Sequence, residues 1–138
     1  VASVGLPFVI VELDSRLALE RARSYLPVIK EIQELGVMPD ILLYVRSDDD
    51  FDIRARMFAP LDGVPEDPAT GSANCALAAL LSHYKTESTG DFGWRIAQGV
   101  EMKRPSVLEA RSKKRPDSGI DVWVSGTCKM VSEGLIEI

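Results

Sequence analysis

An α+β domain, a sheet packed around one buried apolar helix, is the fold this sequence predicts. Three observations predict it. The segment Ala73–Tyr84, ANCALAALLSHY, is rich in the best helix formers and has almost no charged face. A helix apolar nearly all round is one surrounded by protein, and its alanines let neighbouring backbone approach closely. Short β-branched and aromatic runs lie on both sides of it, and a sheet with one buried helix is α+β rather than doubly wound. The 138 residues suit one domain with a moderate core.

The elements follow in order. FVIVEL at 8–13 is a buried strand, and Ser15 then caps a helix carrying Leu17, Leu19 and Ala22. Pro27 opens a second helix with Val28, Ile29, Ile32 and Leu35, which Gly36 stops. DILLYVR at 40–46 is a strand, and SDDD at 47–50 a tight polar turn. In the next strand, 51–58, Phe51, Ile53, Ala55 and Met57 face one way and Asp52, Arg54, Arg56 and Phe58 the other. A loop from Pro60 to Ser72 leads into the apolar helix. Strands are expected at 93–99, 106–113 and 120–126, with a last one at 129–138. The turn Pro116–Gly119 pairs the middle two as a hairpin, and Gly126 breaks or turns the strand before the last. No internal repeat, low-complexity tract or linker interrupts the pattern. Both ends fall close to or inside strand patterns, as expected of a piece of something larger or of edges that another polypeptide covers.

Composition excludes several classes. The formal charge of -5 and pI near 4.9 argue against nucleic acid, whose phosphates reward clustered Lys and Arg. The basic cluster RSKKR, Arg111–Arg115, reads as the solvated end of the hairpin, with a phosphate- or acid-binding rim as the alternative. No run reaches the roughly 18 apolar residues of a membrane span, and the first residues lack the pattern of a signal peptide. Cys75 and Cys128 could bridge, but one sits in a helix-like run and the other near a strand, and the favoured reading is two free thiols in a reducing compartment, the cytoplasm. One histidine and no CxxC leave little support for a metal site, and no dinucleotide loop implies a cofactor.

The stretch EDPATGSANC, Glu66–Cys75, sets two carboxylates and a glycine directly before the apolar helix. A helix start carries backbone N–H groups without intrahelical partners and a partial positive charge. Thr70 and Ser72 can cap it or donate hydroxyls, and Gly71 leaves room for a ligand against the amides. Two readings stand side by side. In one, Thr70 or Ser72 caps the helix and the acids sit in water. In the other, the buried helix start holds a small carboxylate, with Asp67 orienting a ligand group or a neighbouring side chain.

The run RMFAPLDGVPEDPATGSA, Arg56–Ala73, resembles the signature of the phenazine-biosynthesis PhzF-like isomerases, relatives of diaminopimelate epimerase and proline racemase. Weaker likenesses lie at QGVEMKRPS, Gln98–Ser106, and at SVGLPFVIVEL, Ser3–Leu13. The resemblance implies a strongly curved mixed sheet wrapped around the central helix. It also implies that residues 1–138 correspond to one of two such domains, the second, C-terminal-type one. Substrate would lie in the cleft between the two helix starts. Asp67 resembles the family's site aspartate, and Gly71 and Ser72 the pair that holds the substrate carboxylate. Arg104, Pro105 and Ser106 resemble a loop near the cleft, with Lys103 standing where the family has glycine. The family's catalytic glutamate and its accompanying histidine belong to the other domain, so His83 is assigned no role. Glu66 is the only local stand-in for that base, and alternation in an extended loop points it elsewhere. The racemases use a cysteine where this chain has Pro68, and Cys75 reads as an inert core thiol.

The expectation that results is the second half of a cofactor-independent isomerase. It would bind the carboxylate of a small amino-acid-like substrate, cyclic or hydroxylated, while a missing domain supplies the proton-transferring group. Its partners are that substrate and a complementary N-terminal-type domain or a further copy of itself, with neither nucleic acid nor membrane. The alternative is a non-catalytic small-carboxylate binding module of the same fold, and a purely structural role would bind nothing.

Overall fold

The computed structural model describes residues 1–137. The element order is β1 (Ala2–Ser3), β2 (Pro7–Glu12), α1 (Arg16–Arg21), α2 (Leu26–Glu34), β3 (Ile41–Arg46), β4 (Ile53–Ala59), a 3-10 turn (Pro60–Asp62), β5 (Val64–Asp67), α3 (Gly71–His83), β6 (Gly90–Gln98), β7 (Ser106–Lys114) and β8 (Ile120–Ser125). The strands form one mixed sheet in the order β1-β2-β3-β4-β6-β7-β8, with β5 paired to β4. Its two parallel contacts, β2–β3 and β4–β6, are the ones bridged by helices, as a parallel crossover requires.

Strands from both ends of this order, β1 and β2 at one and β6, β7 and β8 at the other, all touch α3. A sheet whose opposite ends meet one helix must curl, so α3 lies in the channel of a half-barrel. Its face formed by Ala73, Ala76, Leu77, Ala78 and Leu81 is buried against Phe8, Leu42, Ile53, Met57, Ile96 and Leu108. A narrower stripe, Ser72, Cys75 and Ala79, is only half-buried, so the helix is enclosed on most sides rather than all. α1 covers the outer face of β3 and β4, while α2 packs on the 3-10 turn and shares a groove with Ile41, Leu43 and Phe58, so the outward Arg56 and Phe58 are buried as well as the inward residues of β4.

Local chemistry accounts for the boundaries. The Ser15 hydroxyl accepts from Ala18 N at 3.2 Å and starts α1. Pro27 sits in the first turn of α2, and Gly36 leaves its end at φ +75. The β7–β8 hairpin closes through Arg115 N to Gly119 O at 2.8 Å, with Arg111, Lys113 and Arg115 exposed.

Two expectations are corrected. The region 60–72 is not one loop: it contains the 3-10 turn and β5, which pairs with β4 across an irregular register, and α3 begins at Gly71 rather than Ala73. Residues 129–137 form no strand. They follow β8, an edge strand paired only with β7, and reach no edge of the sheet, so their alternation finds no backbone partner. Met130, Val131, Leu135 and Ile136 are 87–100% exposed. The expected last residue of that strand, position 138, lies outside the described residues. No helix among the described residues is long and apolar enough to cross a membrane.

Candidate functional site at the start of α3

β5 pairs with β4 through Met57 opposite Asp67, and Pro68-Ala69-Thr70 then turns the chain into α3. Thr70 is the N-cap residue in an extended conformation, yet its side chain makes no capping bond. Its Oγ1 instead donates to Asp67 Oδ2 at 2.5 Å and accepts from Gln98 Nε2 at 2.9 Å. Gln98 Nε2 also donates to Asp67 O at 2.7 Å, while its Oε1 accepts from Asn74 Nδ2 at 2.7 Å and Thr70 N at 3.3 Å. Asn74 Nδ2 donates further to Thr70 O at 2.8 Å. The two backbone carbonyls accept only, so they fix which way both amides face. Asn74 Oδ1 is thereby left buried with no donor among the described residues.

This network draws the Thr70 hydroxyl away from the helix. The first intrahelical bond is Asn74 N to Thr70 O, so the N–H groups of Gly71, Ser72 and Ala73 precede the ladder. The helix end keeps its partial positive charge, with no acidic residue in its first turn. Gly71 abuts Val124: a Cβ built there would lie 3.3 Å from Val124 Cγ1.

The two carboxylates of the stretch have separate partners. Adjacent residues of a strand point to opposite faces, and Glu66 points to the outer one. There Arg56, 4% exposed, grips it with Nε to Oε1 and Nη2 to Oε2, both at 2.8 Å. Arg56 Nη1 also donates to Leu19 O and Ala22 O at 2.9 Å, which ties the end of α1 to β5. The Glu66 hydrogen bonds and the nearby charges of Glu66 and Glu101 raise the Arg56 pKa above its ordinary value, against the opposing effect of burial. Glu66 is a bound counter-ion, not a free base.

Gly71 and Ser106 meet at a cavity of about 500 Å³, which runs between Ala69 and Pro105 on one side and Val124 to Cys128 on the other. Asp67 and Thr70 lie behind the helix start, part-buried and buried, and Ser72 is half-buried on the first turn. Arg104 is exposed. Its loop closes through Arg104 N to Gly99 O at 2.9 Å. Gly99 is at φ +76, and a Cβ there would overlap Arg104 O and fall 3.0 Å from Pro68 Cα. Only glycine lets the loop fold onto the residue next to Asp67. Lys103, in the same loop, has φ 61.

Cys75 is half-buried with its thiol pKa pushed up by burial, the reverse of an activated thiolate. His83 is exposed at the far end of α3. No group of His, Cys, Asp and Glu suited to a metal occurs among the described residues. A wider depression of about 750 Å³ around Trp123 and Arg111, on the outer face of β6–β8, includes none of these site residues.

Three contributors escaped the sequence reading. Gln98 and Asn74 build the polar network, and Arg56 neutralises Glu66. The signal for Gln98 was its register: Trp94, Ile96 and Gln98 share one face of β6, so the amide follows an apolar face inward. Asn74 alone in an apolar helix was the other.

The profile of the family described as phenazine biosynthesis-like protein matches residues 1–134. An uncharacterized isomerase of Clostridium acetobutylicum is 27% identical over 135 residues, which is 95% of this chain and 45% of the relative. The trans-2,3-dihydro-3-hydroxyanthranilate isomerase of Pseudomonas chlororaphis is 44% identical over 85 residues, 60% of this chain and 30% of that protein. The crystal structure of the Bacillus anthracis phenazine biosynthesis protein of the PhzF family superposes with a TM-score of 0.75 at 22% identity, over 91% of this chain and 44% of that one. The chain thus spans less than half the length of these relatives.

Proposed function

The chain belongs to the phenazine biosynthesis-like protein family, and from that premise we propose that it is the second half of a cofactor-independent isomerase. The start of α3 binds the carboxylate of a small amino-acid-like substrate, cyclic or hydroxylated, through the N–H groups of Gly71 and Ser72 and the Ser72 hydroxyl. Asp67 orients substrate through the hydrogen-bonded chain it shares with Thr70 and Gln98. Arg104 and Ser106 border the cleft, with Ser106 beside Gly71 in the same cavity. A complementary N-terminal-type domain supplies the general acid/base that moves the proton between carbons.

The observation that carries the reading is the uncapped helix start, whose N-cap hydroxyl is committed to Asp67 instead. The names of the relatives support an isomerase, and the spans matched, under half of each relative, support a half-site. Two free cysteines suit work in a reducing cytoplasm. A second reading, a stand-alone carboxylate-binding module, is favoured by one observation: Glu66, the carboxylate nearest Asp67 in sequence, is locked to Arg56.

Native mass spectrometry of protein recovered undenatured from its source separates the two. The isomerase reading expects a second half of similar size, in the same polypeptide or bound to it. That assembly should wash deuterium from D2O into trans-2,3-dihydro-3-hydroxyanthranilate or a related cyclic amino acid, and Asp67→Asn should slow the exchange on the order of 100-fold. A chain that travels alone or only with its own copies, or exchange indifferent to Asp67→Asn, would overturn it.

A further inference from the structure

The half-barrel has a second mouth, at the C-terminal end of α3. With a rise of about 1.5 Å per residue, a helix of 13 residues places it roughly 20 Å from Gly71. A cavity of about 320 Å³ opens there, between the last turn of α3, the ends of β2 and β3 and the middle of β6. Glu12, Tyr44, Arg46 and Trp94 all project from the concave face of the sheet, and Tyr84 and Lys85 close the helix side.

The polar groups are arranged by one another. Glu12 accepts from the Tyr44 hydroxyl at 2.6 Å through Oε2 and from Arg46 Nε at 2.8 Å through Oε1. The Tyr44 and Arg46 bonds hold the Glu12 carboxyl below its usual range, so it is ionised, while burial and Glu12 keep the Tyr44 phenol neutral. Because the guanidinium is held by its Nε edge, its two Nη groups have no acceptor among the described residues. The Lys85 ammonium lies 5.5 Å over the Phe92 ring, with no salt bridge among the described residues but within electrostatic reach of Glu87, and Lys114 Nζ donates to its carbonyl at 3.0 Å. Three cations, Arg46, Lys85 and Lys114, therefore surround two anions, Glu12 and Glu87, a surplus of one positive charge. The partial negative charge of the helix end trims that surplus, which favours one carboxylate over a multiply charged phosphate. Beneath the charges lie the half-buried Trp94 ring and two leucines of α3, a flat apolar wall.

We propose that this mouth is a second ligand site, separate from the start of α3, that takes a small aromatic monocarboxylate. The carboxylate meets Arg46 and Lys85, and the ring lies on Trp94. This site does not depend on the isomerase reading and stands if that reading falls.

Benzoate titrated into the isotopically labelled protein, followed by two-dimensional NMR, tests it. The Trp94 indole N–H and the backbone amides of Tyr84 and Lys85 should shift saturably. Benzyl alcohol, of similar shape but uncharged, should bind about ten-fold more weakly or worse, and Arg46→Gln and Lys85→Gln should each weaken benzoate by about ten-fold. Both side chains are exposed, so neither variant threatens the fold. Amides at Gly71 and Ser72 report the other site independently. An unmoved Trp94 indole, equal binding of benzyl alcohol, or an unchanged affinity in both variants would overturn the proposal.

Discussion

At the scale of the residue, Arg56 and Tyr44 each decide more than their neighbours. Arg56 is buried with its charge matched by Glu66 and its remaining donors spent on α1 carbonyls. Removing one partner of a buried pair strands the other, so Arg56→Ala should destabilise the fold by about 3–5 kcal/mol, read as a lowered urea midpoint. An unchanged midpoint would mean that Glu66 finds water. Tyr44 titrates abnormally: desolvation first, then its bond to Glu12, push the phenol from 10.0 up to about 12. A raised pKa means that the fold favours the protonated form. The stability contributed is complete below pH 10 and lost as pH rises through about 12. Tyr44→Phe should remove that part of the alkaline loss, checked by denaturant unfolding from pH 9 to 12. Arg56 was visible in the sequence only as an outward residue of its strand. Its burial depends on α1 packing over it, which no strand pattern reports.

At the scale of the element, α3 and its approach were legible to different degrees. The alanine- and leucine-rich run announced a central helix, because an uncharged surface has no stable place in water. The pattern places its start two residues late, because Gly71 and Ser72 are weak helix formers that α3 nonetheless uses as its first turn. β5 leaves no strand pattern in the sequence, because Pro65 and two acids lower any strand signal, and its pairing with β4 is irregular. Of the roles open to Thr70, the cap is not the one it takes: its hydroxyl bonds Asp67, the carboxylate that the sequence offered as orienting a ligand group or a neighbouring side chain. The loop 99–104 carries a local strain. Lys103 holds a left-handed φ of 61, which for a residue with a side chain costs roughly 1–2 kcal/mol. Part of that is offset by the greater freedom of glycine in the unfolded chain, so Lys103→Gly should stabilise by about 0.5–1 kcal/mol. A thermal melt checks it, and a lower melting temperature would mean that the Lys103 stem makes contacts that outweigh the strain.

At the scale of the whole molecule, the curled sheet positions everything else: besides one half-buried stripe it leaves the two ends of α3 open, one with uncapped N–H groups and one with surplus cations. The sequence predicted a sheet around a helix but also a final strand that the fold does not contain. Its apolar residues at 130, 131, 135 and 136 are exposed and bury nothing, so replacing all four by serine should leave the melting temperature within about 1 °C. A drop of several degrees would show that this segment supports the fold. On the proposed function, the start of α3 holds a carboxylate. The most direct measurement is an NMR titration of the labelled protein with 3-hydroxyanthranilate, the aromatic counterpart of the compound named for the Pseudomonas relative. Saturable shifts of the Gly71 and Ser72 amides, with the Ser72 shift lost in Gly71→Pro, are the predicted result. Amides at 71 and 72 that stay still while the ligand binds elsewhere, or not at all, would contradict it.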